Sequence, residues 1–234
     1  MMRERGLTPG GCNMYIRTVN NYLSWLREEG HIDQRLTVKL LRAPLHLLTL
    51  LSVADVRAIV RYRPGSAAER RTWTLILLLL DTGLRIDEAL KLERRRVNLD
   101  NLVLAVLGKG GKERQIPFSL ELRKVLYRWM RALGDSAPCQ LVFISRSGLA
   151  LSYRNVTRDI QRVCRHAGVA SHVHPHLFRH QFAATYIRQG GDIYRVSRLL
   201  GHSAITTTQI YLRSMGVEDL RAGRERLTPL RLGE

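Results

Sequence analysis

Between Arg70-Arg71 and Asp81 lie eight residues, Trp73 to Leu80 (WTLILLLL), with only Thr74 interrupting an apolar run. A bilayer span needs roughly 18 to 20 apolar residues, so this stretch is far too short to cross a membrane and reads as a helix buried on most of its sides. Whatever the chain folds into must be assembled around it. The helix is expected from Glu69 to Thr82, is ended by Gly83, and is followed by a second over Ile86 to Leu92. Those two helices bracket Arg85.

Elsewhere the apolar spacing predicts more helices than strands. Tyr15 to Glu29 places Ile16, Val19, Tyr22, Leu23 and Leu26 on one face and closes at Gly30, while Ser52-x-x-Asp55 has the form of a capping box opening a helix to about Arg63. A linker is placed near Pro44. Leu102 to Pro117 (LVLAVLGKGGKERQIP) predicts two short strands joined at Gly108-Lys-Gly-Gly111, which puts Lys109 at a hairpin tip. Further helices are expected over Ser119 to Leu133, Ser152 to Ala167, Pro175 to Gln189, Ile193 to Leu200 and Ile205 to Leu212. The fold class is therefore mainly α with a small antiparallel β-sheet.

Charge narrows the partners. Lys and Arg number 38 against 20 Asp plus Glu, a formal charge of +18. Such an excess makes nucleic acid the leading partner. The basic residues are spread along the whole chain instead of forming one amphipathic helix, which speaks against a membrane surface. No secretion signal opens the sequence, and Cys12, Cys139 and Cys164 are widely spaced without a CxxC pair, so neither a disulfide framework nor a zinc ribbon is expected. The expected location is the cytoplasm.

Four short stretches hold the candidates for chemistry. Pro175 at a helix start puts His176 and Arg179 three residues apart on one face, near backbone N–H groups that favour an anion. Arg85 follows the buried helix, a rigid base from which a guanidinium can grip two phosphate oxygens, and Glu88 one turn later can fix its orientation. Tyr211, nine positions after His202, is a candidate nucleophile. A phenol with a pKa of about 10 needs cationic neighbours to lose its proton, and Arg85, His176, Arg179 and His202 would supply them. Lys109 on its hairpin can protonate a departing sugar hydroxyl, with Lys112 competing for that role. Arg94-Arg95-Arg96, Lys112 and Arg114 are candidate contacts to the DNA backbone.

Taken in order, TGLRIDEAL, GKGGKERQIP, HPHLFRH, LLGHS and a tyrosine nine residues after that histidine resemble the tyrosine recombinase (phage integrase) family over Leu50 to Leu212. The resemblance implies the catalytic domain of that family, the DNA breaking-rejoining enzyme fold. It further implies that Arg85, Lys109, His176, Arg179 and His202 activate a scissile phosphate of double-stranded DNA, which Tyr211 attacks to leave a 3′-phosphotyrosine and a free 5′-hydroxyl. The bond energy is kept in that link, so rejoining needs no cofactor, neither ATP nor a divalent metal. By the same resemblance a homo-tetramer on DNA is expected, associated with the nucleoid. Phe178 stands where the family commonly has leucine.

Family members carry a helical core-binding domain ahead of the catalytic one, and CNMYIRTVNNYLSWLREEGHI is similar to its last long helix. Residues 1–43 are thus expected to be the remnant of a helical core-binding (SAM-like) domain. Residues 44–234 would form the catalytic domain, with Gly216 to Glu234 as a leucine-bearing docking tail. Rival readings are a truncated, catalytically weak fragment acting only as a DNA-binding protein, a type IB topoisomerase, and a metal-dependent hydrolase. The last is prompted by the i, i+4 pair His176 and His180, yet Leu177 occupies the place where HExxH has glutamate.

Overall fold

The computed structural model describes residues 6–42, 49–108, 111, 113–134 and 140–201. The helix expected over 205–212, the tail 216–234 and the linker at Pro44 lie outside them. The chain divides into two compact units, Met1–Leu47 and Leu48–Glu234.

The first unit contains one long helix, α1 (Pro9–Glu28). It begins six residues earlier than the apolar spacing predicts. Thr8 caps it by accepting from the Gly11 N–H, and Pro9 brings a preset φ to its first position, so capping chemistry extends the helix through two glycines with no apolar signal. After the turn, the chain is held back against α1 by two asparagines. Asn13 exchanges two hydrogen bonds with the backbone of Leu41, and Asn20 does the same with Val38. Tyr22 stacks on Trp25, with ring centroids 5.7 Å apart.

In the second unit, α2 (Val53–Arg61) opens with the expected capping box between Ser52 and Asp55. The apolar run lies in α3 (Ala67–Thr82), where Leu75, Ile76, Leu78 and Leu79 are fully buried. Three helices surround α3: α5 (Leu120–Leu133), α6 (Tyr153–His166) and α7 (Pro175–Arg188). Polar ties fix the packing. Trp73 Nε1 donates to the Ile59 carbonyl, Asp81 accepts from the Ser119 N–H, and Arg71 reaches both Asp159 and the Ile144 carbonyl. Short α4 (Ile86–Leu90) follows α3, and α8 (Ile193–Leu200) follows α7.

The sheet has three antiparallel strands in the order β1 (Val97–Asn98), β2 (Val103–Leu107), β3 (Glu113–Pro117), with Leu104 facing both Val97 and Ile116. The first strand is an addition to the expected hairpin. Two residues are too few to show a period of two in the sequence. No helix among the described residues is long and apolar enough to cross a membrane.

Candidate functional site

Two helix ends meet at the candidate site, and glycine makes both ends possible. Helix α3 stops at Gly83 with φ +64°, and a Cβ there would collide with the Phe182 ring and come within 2.8 Å of Leu200 Cδ2. Helix α8 stops at Gly201, also with φ +64°, where a Cβ would lie 3.1 Å from Arg114 Cζ. Both positions call for a left-handed residue without a side chain. The two helices can therefore end against each other's neighbours.

Three guanidiniums close over the carbonyls at the end of α8. Arg179 donates from Nη2 to the Leu200 carbonyl at 2.6 Å and from Nη1 to the Gly83 carbonyl at 2.8 Å. Arg85 reaches Leu200 and Gly201 carbonyls at 3.4 Å each, and Arg114 Nε donates to the Leu199 carbonyl at 3.0 Å. These carbonyls form the negative end of a helix, where cations are favoured. The cluster thus sits directly before the Gly201-His202 step.

Glu88 ties two of the three arginines together. Its carboxylate accepts from the Arg85 backbone N–H at 2.9 Å and from Arg85 Nη1 at 3.1 Å, and takes a two-pronged ion pair from Arg114 at 3.0 and 2.9 Å. Burial alone would raise the Glu88 pKa. The hydrogen bonds from Arg114 and the Arg85 N–H, with the charges of both arginines, outweigh it and hold the carboxyl below its ordinary value. The supporting position expected for Glu88 is thus occupied from two sides.

Exposure separates the arginines. The Arg85 side chain is 36% exposed, that of Arg114 15%, and Arg179 only 4%. His176 is exposed on the first turn of α7, three residues before Arg179. Behind it, His180 is half-buried, and burial together with the charges of His176, His174 and Arg179 lowers its pKa to about 4. A cleft of about 440 Å³ opens beside Arg85, Lys91, Arg96 and Gly108. Lys109, Lys112, His202 and Tyr211 lie outside the described residues.

Two expected backbone contacts are placed otherwise than the sequence suggests. Arg94 turns inward, its Nη1 donating to the Gly134 carbonyl at 2.6 Å while Nε and Nη2 are buried without a hydrogen-bond partner among the described residues. Arg114 spends its donors on Glu88 and Leu199. Arg95 and Arg96 do reach the surface side of this short 3₁₀ turn, paired with Glu93 and Glu113. The Leu199, Leu200 and Gly201 carbonyls escaped sequence reading because main-chain acceptors carry no side-chain signature.

The phage integrase family matches residues 49–216 of the chain. Over 210 residues the chain is 35% identical to tyrosine recombinase XerC of Xanthomonas campestris pv. campestris (strain B100), covering 89% of this chain and 65% of that protein. It is 30% identical to tyrosine recombinase XerC of Salmonella typhi over 212 residues, covering 89% of this chain and 71% of that one. The chain thus spans just under two thirds of the length of the Xanthomonas relative. Among solved structures, XerA recombinase superposes with a TM-score of 0.70 at 24% identity, over 96% of this chain and 84% of that one. The Tn1549 transposon integrase in complex with transposon right end DNA gives 0.78 at 20% identity, over 97% and 82%. With the family's motifs in order, its fold, and its match across most of the sequence, the chain belongs to the phage integrase family of tyrosine recombinases.

Proposed function

We propose that this protein cleaves and rejoins double-stranded DNA at a specific site through a 3′-phosphotyrosine intermediate. The observation that carries the reading is the meeting of Arg85 and Arg179 at the Leu200 carbonyl, one step before the Gly201-His202 sequence. Two guanidiniums fixed on one helix end form a preorganised positive site of the kind that stabilises a phosphorane. In this reading Arg85, His176, Arg179 and His202 neutralise the attacked phosphate. The Tyr211 hydroxyl releases its proton to solvent and its oxygen bonds to phosphorus as the bond to the 5′ oxygen breaks, and Lys109 gives that 5′ oxygen a proton. Rejoining reverses the step with a new 5′-hydroxyl.

Arg95, Arg96 and Lys112 are the backbone contacts we retain. The first unit is assigned to a helical core-binding domain, and residues 216–234 as a segment that docks on a neighbouring protomer of a tetramer. Such a protein would be found with the nucleoid.

The test begins with selection of a binding site from random duplexes, followed by a nicked suicide substrate built on that site. Wild-type protein should become covalently joined to DNA with or without EDTA, and Tyr211→Phe should bind with unchanged affinity and form no adduct. Binding without any wild-type adduct would make the chain a DNA-binding protein only.

A further inference from the structure

Arg114 lies two residues past Lys112, on a chain of charge +18, and its sign alone suggests a DNA phosphate as its partner. The surroundings say otherwise. Its two Nη atoms pair with the two Glu88 oxygens at 3.0 and 2.9 Å, and its Nε donates to the Leu199 carbonyl at 3.0 Å. Each guanidinium nitrogen therefore has a partner inside the protein. The two-pronged ion pair with Glu88 answers its charge inside the protein.

Arg114 and the two groups it joins come from three separate segments. Arg114 itself stands on β3. Glu88 stands on α4 and holds both the backbone N–H and the guanidinium of Arg85. Leu199 belongs to the last turn of α8, immediately before Gly201 and His202. Gly201 is pressed against the guanidinium, since even a Cβ would stand 3.1 Å from Arg114 Cζ. A single side chain thus joins β3, the Arg85 turn and the last turn of α8.

We infer that Arg114 is a positioning residue, which sets Arg85 and the C-terminal end of α8 in register with β3 and makes no contact with DNA. The catalytic part of this inference rests on the proposed recombinase reading. The geometry favours arginine, because lysine carries its three donors on a single nitrogen and cannot give two parallel bonds to a carboxylate together with a coplanar one to a carbonyl.

Arg114→Lys keeps the charge and removes the fork. Single-turnover cleavage at saturating DNA is expected to fall at least tenfold, with the Kd and its salt dependence unchanged. Hydrogen exchange in peptides covering 195–205 is expected to accelerate in the DNA-free variant. Wild-type cleavage and exchange in Arg114→Lys would overturn the inference, as would a shallower salt slope in Arg114→Gln. If the wild type itself forms no adduct, the recombinase reading fails, and the exchange measurement alone decides the positioning role. The Nε–H resonance of Arg114 in the wild type provides a measurement that needs no variant. It should exchange slowly and stay in place when DNA is added, whereas a shift on titration with duplex would overturn the inference.

Discussion

Arg85 and Arg179, ninety-four positions apart in sequence, donate to the same oxygen, the Leu200 carbonyl, at 3.4 and 2.6 Å. Like charges approach this closely only where negative charge is concentrated, and here the C-terminal end of α8 and the Glu88 carboxylate supply it. The site is assembled by folding. Its positive charge is in place before any substrate arrives, which is the condition for electrostatic catalysis without reorganisation.

The two arginines should nevertheless fail differently. Arg179→Ala strands the Gly83 carbonyl in a buried setting and leaves the Leu200 carbonyl only the longer bond from Arg85, a loss of about 1–3 kcal/mol, or on the order of 2–10 °C in Tm for a domain of this size. Arg85→Ala removes a side chain more than a third exposed and should leave Tm within a few degrees of wild type. Both should lower cleavage on the order of 10²-fold or more. Calorimetry beside suicide-substrate kinetics checks this, and an unchanged cleavage rate in either variant removes that arginine from the site.

Stability should fall on the acid side in two separable stages. His180 is held at about 4, below its ordinary 6.5, so between those values the unfolded chain takes a proton that the folded chain refuses. Folding is then progressively less favoured as pH drops from 6.5 to about 4, and His180→Gln should flatten that part of a Tm–pH curve. Glu88 has a lowered pKa. Its contribution is complete above about 4.5 and is lost as pH falls through the folded value, so Glu88→Gln should act mainly on the lower stage. A curve for His180→Gln that parallels wild type above pH 4.5 would refute the first half.

Salt dependence should sort the arginine run. If Arg95 and Arg96 each neutralise a phosphate, replacing either by alanine should reduce the slope of log K against log salt by about 0.9, whereas Arg94→Ala should leave the slope unchanged and lower stability. Equal slopes for all three variants would mean that the turn does not touch DNA.

Gly83→Ala should be among the most damaging single-methyl changes. It demands φ +64° from alanine and drives a methyl into Phe182 and Leu200, so a loss of about 1–3 kcal/mol is expected by denaturant titration. A stability within about 0.5 kcal/mol of wild type would show that the junction of α3 and α8 is looser than drawn.

Most helices were legible because their signals are local. Ser52 with Asp55, the apolar run of α3, and Gly83 after it each settle their structure within a few residues. The relation of Glu88 to Arg85 was legible for the same reason, being one helical turn. The partner of Arg114 was not, since Glu88 lies twenty-six positions upstream and only the pairing of β3 with β2 and the approach of α8 bring them together. The direction of Arg94 was hidden on similar grounds: charge declares an affinity but not a direction, and a carbonyl at the end of α5 accepts from its guanidinium. The early start of α1 was lost to a different cause, a cap and a proline preceding any apolar period.

The two asparagines of α1 act as a gauge of length. Asn13 and Asn20 stand seven residues apart, a rise of about 10.5 Å along a helix. Their partners Leu41 and Val38 are only three residues apart, and three residues cover that distance only when the backbone is pulled nearly straight, at about 3.3 Å each. The returning chain is therefore kept taut and antiparallel to the helix, and removing one residue between 38 and 41 would put the second asparagine out of reach of its partner.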